Sequence, residues 1–476
     1  MIGAVADRLV QGVEDAGSAV SEALFEPVVR LGVTGLSRAG KTVFITSLVA
    51  NLLNRGRMTQ LNAAASGRIV GAVLQPQPND TVPRFAYERH LQDLTGPEPC
   101  WPDSTRAISE LRLSFRVRPR GMFDTLSTFG GLTGPRTVHL DIVDYPGEWL
   151  LDLGLLDRSF AEWSKLVLVK LPKRPGGEPF LTLLADVDPA NPLDEPTAEK
   201  LATHFADALK TARVAGFSDC SPGRFLLPGE MEGSPALTFS PLPPMSGARR
   251  GSLWREFERR FEAYKSKIVR PFFRDHFSKI DRQVVLLDVL GAIHDGPAAL
   301  EDLRATTADV LGAFRPGTAS ILASLLGARR VEKILFAATK ADHLHHSQHA
   351  QLADITEALV AEAKQRAQFA GADTAALALA SLRATVEETR HHKGEDLGVV
   401  RGHRLDTGDP VAFYPGRLPD DPSVLLSPAA SGSERWLDAE YQFMRFAPAP
   451  MTLSHGDGPP HIRLDRAAQF LFGDKL

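Results

Sequence analysis

The residues best equipped for chemistry lie near the start of this 476-residue chain: Gly35-Leu36-Ser37-Arg38-Ala39-Gly40-Lys41-Thr42. The pattern is GxxxxGK[ST], with the strand-like Arg30-Leu31-Gly32-Val33-Thr34 before it and a run of helical period, 43–53, after it. Gly35 and Gly40 let the backbone curl so that the N–H groups from Ser37, Arg38 and Ala39 through to Val43 point inward at phosphate oxygens. The following helix adds the positive end of its dipole. Lys41 is expected to neutralise the outer phosphates, and the Thr42 hydroxyl to take a place on Mg²⁺.

A phosphate loop does not choose its nucleotide, so the other motifs must. Thr137-Val138-His139-Leu140-Asp141-Ile142-Val143-Asp144 reads as a strand running into Asp144-Tyr145-Pro146-Gly147, an Asp-x-x-Gly. An aspartate there can hold Mg²⁺, and the Gly147 N–H can report the γ-phosphate. A second copy, Asp288-Val289-Leu290-Gly291, also follows a strand. Topology separates them. In small GTPases one further strand lies between Asp-x-x-Gly and [NT]KxD, and no strand candidate lies between Gly291 and the strand at 331–338. Asp144 is therefore the metal candidate and Asp288 a structural or capping residue.

Thr339-Lys340-Ala341-Asp342 carries the specificity. The Asp342 carboxylate can accept two parallel hydrogen bonds from the N1–H and 2-amino groups of guanine, a donor pair that adenine lacks. Lys340 is expected along the base plane. After the next strand, Ser381-Leu382-Arg383 is the segment expected to offer a backbone N–H to guanine O6. The threonine that closes over metal and γ-phosphate is expected before the second strand, 111–118. Thr105, in Trp101-Pro102-Asp103-Ser104-Thr105-Arg106, is the first choice and Thr81 the second.

In this order the motifs resemble the YcjX-like family of bacterial P-loop NTPases, related to the translation-factor-class GTPases. The resemblance rests on 35–42, 101–106, 144–148 and 339–342, on Phe413-Tyr414-Pro415-Gly416-Arg417, and on the final Asp474-Lys475-Leu476. It implies a cytoplasmic, stress-associated protein with a GTPase-like core and large helical insertions, binding GTP or GDP with Mg²⁺. Two departures from the small-GTPase pattern bear on mechanism. Glu148 stands where a glutamine or histidine often orients the attacking water, and a carboxylate beside a triphosphate faces repulsion. Arg38 sits where small residues are common and could act as an arginine supplied in cis. Lys41, Arg38 and Glu148 are thus the catalytic candidates.

The elements that must position these groups follow from pattern. Six strands, 30–34, 111–118, 137–143, 283–288, 332–338 and 376–381, form a doubly wound α/β sheet with nucleotide at their carboxyl ends. The core spans 30–148 and 281–390 and is interrupted by a helical insertion, 149–280. Residues 1–29 read as an amphipathic helix, and 391–476 as a small β-rich appendage with a terminal helix. The apolar runs 166–169 and 284–287 read as buried strands, and 221–251, rich in Pro and Gly, as irregular surface chain. Trp254, Phe257, Phe261 and Tyr264 recur at helical spacing among basic residues and read as a core-facing stripe. His343, His345, His346 and His349 read as the start of a solvated helix.

Composition limits the partners. Apolar residues make up 43% and charged residues 24%, with a net charge of −4, so the whole chain offers no electrostatic case for nucleic acid. Cys100 and Cys220 are far apart, which disfavours a disulfide framework. No run approaches the ~20 apolar residues of a membrane span, and peripheral membrane contact has no support. The expected partners are a guanine nucleotide and a protein effector. An ATPase or small-molecule kinase, or a nucleotide-binding scaffold with little turnover, is the alternative.

Overall fold

The strand that leads into the phosphate loop, β1 (Val28–Gly35), is the middle strand of seven. In sheet order they are β2 (Ile69–Gln75), β3 (Ser109–Val117), β4 (Arg136–Asp144), β1, β5 (Arg282–Leu287), β6 (Lys333–Ala338) and β7 (Asp373–Ala378). Strands β4, β1, β5, β6 and β7 run parallel, while β3 is antiparallel to β4 and β2 to β3. This computed structural model describes residues 26–35, 39–103, 107–119, 134–312, 331–431 and 442–476. The expected amphipathic helix at the N-terminus lies almost wholly outside the described residues.

The fold is α/β with a GTPase-like core, as the motif order implies. The central parallel strands are buried on both faces, and every residue of β5 is buried. One face packs on the helix after the phosphate loop, α1 (Lys41–Leu53), and on the last helix of the chain, Leu464–Phe472. The core on the other face runs on into helices of the segment between β4 and β5, among them α2 (Phe160–Lys170), α3 (Glu195–Val214) and α4 (Leu253–Tyr264). It also takes in α5 (Val289–Asp295), α6 (Pro297–Gly312) and α7 (His349–Leu359). The terminal helix Leu464–Phe472 is α8.

Several expectations are corrected. The sheet has a seventh strand, β2, inside the long connection that follows α1; it is an exposed edge whose register shifts between Ile69 and Gly71. Residues 166–169 are helical, within α2, because Ser159 and Glu162 form a reciprocal capping box that starts a helix at Phe160. Residues 221–251 are irregular but not all surface, since Phe225, Phe239 and Leu242 are buried. The aromatic stripe of α4 does face the core: Trp163 stacks on Phe261, and Phe239 packs edge-on to Phe261 and Tyr264. Beyond β7, strands β8 (Val386–His392), β9 (Glu395–His403) and β10 (Pro410–Phe413) form a separate antiparallel sheet.

Candidate functional site

Parallel pairing brings the ends of β1, β4, β5 and β6 to one edge of the sheet. Val33 lies beside Asp144, Gly35 beside Leu286, and Leu287 beside Ala338. Just beyond those ends lies a cleft of about 360 Å³ lined by Gly35, Ala39, Gly40, Lys41, Thr42 and Val43 from the phosphate loop. Its opposite side is built from Thr339, Lys340, Asp342, His343, Ala380, Ser381 and Leu382. Trp101, Pro102, Asp103, Glu148, Arg213, Phe443, Arg445 and Phe446 complete the wall. Two segments more than 290 residues apart in sequence thus face one volume.

Local geometry at the loop is demanding. A Cβ on Gly35 would lie 3.0 Å from both Ala39 Cβ and Leu286 Cβ, and Gly40 has φ 77°, the left-handed region that favours glycine. Phe44 N–H donates to Gly40 O at 2.9 Å, so the helix begins directly at Lys41. Asp144, at the end of β4, is buried, and Gly147 caps the short helix Glu148–Leu151. Ser37, Arg38 and Thr105 lie outside the described residues, although Trp101, Pro102 and Asp103, just before Thr105, line the cleft. Thr81, the second choice, is exposed and bonded to Asn79, away from the cleft.

The Thr339 turn is equally constrained. Lys340 takes φ 61°, unusual for a residue with a Cβ, and its ammonium pairs with Asp288 and lies 5.3 Å from the Phe443 ring centroid. Asp288 thus does act as a cap: Gly291 N–H donates to its Oδ1 at 3.1 Å, and its other oxygen holds Lys340. Asp342 is buried at the turn, and its Oδ2 accepts from Ala384 N–H at 2.9 Å, tying the turn to the 381–385 segment. Thr385 Oγ1 adds a second tie to Asp342 O.

The sequence profile of the YcjX-like family (DUF463) matches residues 29–476. The chain is 37% identical over 461 residues to "Ras-like GTPase YcjX" of Escherichia coli (strain K12), covering 94% of this chain and 96% of that one. It is 35% identical over 476 residues to the protein of the same name from Shewanella oneidensis (strain MR-1), covering 94% of each. The chain belongs to the YcjX-like family.

Sequence reasoning did not single out several residues of this family member's cleft. Arg213 comes from the last turn of α3, and its guanidinium meets Glu148 Oε1 at 2.6 Å. Phe443 stacks on His343 at 5.3 Å, and Phe446 packs edge-on to the same ring at 5.2 Å. Trp101 Nε1–H donates to Phe446 O at 2.8 Å, closing the wall. No local pattern announces these contacts, because each joins chain segments far apart in sequence.

The histidines are not the start of a solvated helix. His343 and His349 are buried, and burial pushes both imidazoles down, toward the neutral form. His345 and His346 gather with Glu387 of β8, with ligand atoms within 4.8 Å of one another. Both Glu387 oxygens are already engaged, one by His346 Nδ1 at 2.6 Å and the other by Arg383 at 3.2 Å. That arrangement is a hydrogen-bonded network that fastens β8 to the chain just after the Thr339 turn.

Proposed function

We propose that this chain binds GTP with Mg²⁺ and hydrolyses it to GDP and phosphate, working as a nucleotide-dependent switch in the cytoplasm. The observation that carries the reading is Asp342. Its carboxylate is buried beside the cleft that the phosphate loop forms, in a turn fixed by Lys340 and by the Ala384 N–H. One bond to Ala384 leaves lone pairs for the N1–H and 2-amino groups of guanine. Ser381 and Leu382 line the same end of the cleft and would meet guanine O6. Phe443, over the Lys340 ammonium, would pack near the base. The names carried by the relatives from E. coli and S. oneidensis agree with a guanine nucleotide.

Thr42, on the cleft wall, and Asp144, which lies outside the cleft lining but beside β1, have the chemistry to hold a hard divalent cation. The Thr42 hydroxyl belongs to the first turn of α1, and the buried Asp144 ends β4 beside β1, so both offer the type of oxygen ligand Mg²⁺ takes. When bound, the ion would supply positive charge that offsets the charge of the phosphates. Lys41 would hold the outer phosphates, the loop N–H groups would cradle them, and Glu148 would orient the attacking water. Among the described residues no helix is long and apolar enough to cross a membrane. The test is calorimetric titration with GTP, GDP and ATP in Mg²⁺, followed by turnover. Asp342→Asn should cut GTP affinity by about 10²-fold or more, with ATP affinity little changed. An unchanged GTP/ATP preference would overturn the reading in favour of an ATPase or kinase.

A further inference from the structure

Glu148 poses an electrostatic problem: a carboxylate that is 8% exposed, on the wall of a cleft built for anions. Its solution comes from the helical segment between β4 and β5. That segment reaches Glu148 in two ways. At the backbone, Gly223 packs so closely that a Cβ there would lie 2.2 Å from Glu148 O. At the side chain, Arg213 sets a guanidinium 2.6 Å from Glu148 Oε1. The neighbours of Arg213 on α3, Leu209 and Ala212, are buried in the core of that segment, so the helix is anchored and its last turn projects into the cleft. Arg213 also lines the adjoining cavity that holds Asp288, Asp295 and Arg445.

We propose that Arg213 is a triphosphate-responsive arginine, supplied within the chain, that exchanges Glu148 for the terminal phosphate when GTP binds. The inference rests on the GTP-hydrolysing reading of the site. A guanidinium binds a phosphate through paired N–H donors, and a terminal phosphate carries more charge and more acceptors than a carboxylate. Transfer of Arg213 to the γ-phosphate frees Glu148 to accept a hydrogen bond from water. In the reaction the water oxygen forms a bond to Pγ as the bond from Pγ to the β–γ bridging oxygen breaks. The bond's electron pair leaves on the β-phosphate of GDP, and the water's proton passes to Glu148 and then to solvent. Arg213 meanwhile stabilises the charge on the equatorial oxygens. The exchange gives the Arg213 side chain two positions, one for each nucleotide state.

The experiment compares wild type, Arg213→Ala, Arg213→Lys and Arg213→Ala/Glu148→Gln. It measures single-turnover GTP hydrolysis and affinities for GDP and a non-hydrolysable GTP analogue, with thermal melts to confirm folding. Arg213→Ala should slow turnover by about 10²-fold or more. It should also weaken the analogue by about tenfold while moving GDP affinity by less than threefold. Arg213→Lys, which keeps charge but not the fork, should recover little of the rate. The double variant removes the unpaired carboxylate and should stay as slow as Arg213→Ala. A rate within threefold of wild type, an equal loss for GDP and analogue, or rescue in the double variant would overturn the proposal. A wild type that binds GTP without turnover would overturn the hydrolytic reading instead, while the analogue-against-GDP comparison would still decide whether Arg213 reads the γ-phosphate.

Discussion

Asp152 shows how burial and hydrogen bonding compete at a single carboxyl. It accepts from Gly223 N–H at 2.8 Å, from Ser221 Oγ at 3.3 Å and from the Tyr264 hydroxyl. All three donors favour the charged form, yet complete burial outweighs them and pushes its pKa up from 3.8 to about 6. The folded chain therefore takes a proton here at a pH where the unfolded chain has not, and folding gains as pH falls between those values. The window is worth about 3 kcal/mol. Urea melts should show wild type gaining stability relative to Asp152→Asn by up to about 3 kcal/mol from pH 7 to pH 4. Parallel pH slopes would contradict this. At the same scale, Lys41, Thr42 and Asp342, which line the cleft, and Asp144, which lies beside β1, could be singled out because each sits inside a short motif of recognisable spacing. Arg213, Phe443 and Asp152 were not, since these partners lie between 65 and 112 residues away, and only folding creates those contacts.

Among elements, the docking of the helical segment decides how the core and Glu148 meet. Gly223 lies against the Glu148 carbonyl, and Arg224 sits 3.3 Å over the Trp149 ring centroid, so the two flank the start of Glu148–Leu151. Gly223→Ala would place its Cβ 2.2 Å from a backbone oxygen, which cannot move as a flexible side chain does. The expected cost is about 2–3 kcal/mol in a urea melt, with slower GTP turnover as Glu148 is displaced. Unchanged stability would mean that this contact yields freely. The central strands were readable here because parallel strands buried on both faces are continuous apolar runs. β2 was not: it is an edge with Val70 and Val73 exposed, and the shift at Gly71 breaks its alternation. The apolar run at 166–169 misled for the opposite reason. Four apolar residues fit either a strand or a helix, and only the Ser159–Glu162 cap decides.

For the whole molecule, the C-terminal chain is what closes the nucleotide core. Phe443 and Phe446 cover the Thr339 turn, Asn51 Nδ2–H of α1 donates to Pro459 O at 3.0 Å, and α8 buries Leu464, Ala467, Ala468, Leu471 and Phe472 against the phosphate-loop face. Arg282, at the start of β5, is 0% exposed and depends on this closure. Its guanidinium donates to Leu471 O at 2.9 Å and to Asp474 Oδ2 at 3.0 Å, with Glu332 and Asp281 O as further partners. Asp474→Ala leaves Glu332 and Leu471 O in place, and Asp474 is itself partly solvated, so the loss should be about 1–2 kcal/mol. Removing 464–476 does more. It strips from β1 and β5 the apolar cover of Leu464, Leu471 and Phe472, at about 1.5–3 kcal/mol for each side chain, and takes two partners, Leu471 O and Asp474, from Arg282. That sum approaches the ~5–15 kcal/mol total of an ordinary domain. The truncated chain should therefore lose its cooperative urea transition and its nucleotide binding together, read by circular dichroism and calorimetry. A truncated chain with wild-type midpoint and GTP affinity would show instead that the sheet and phosphate loop stand without their C-terminal cover.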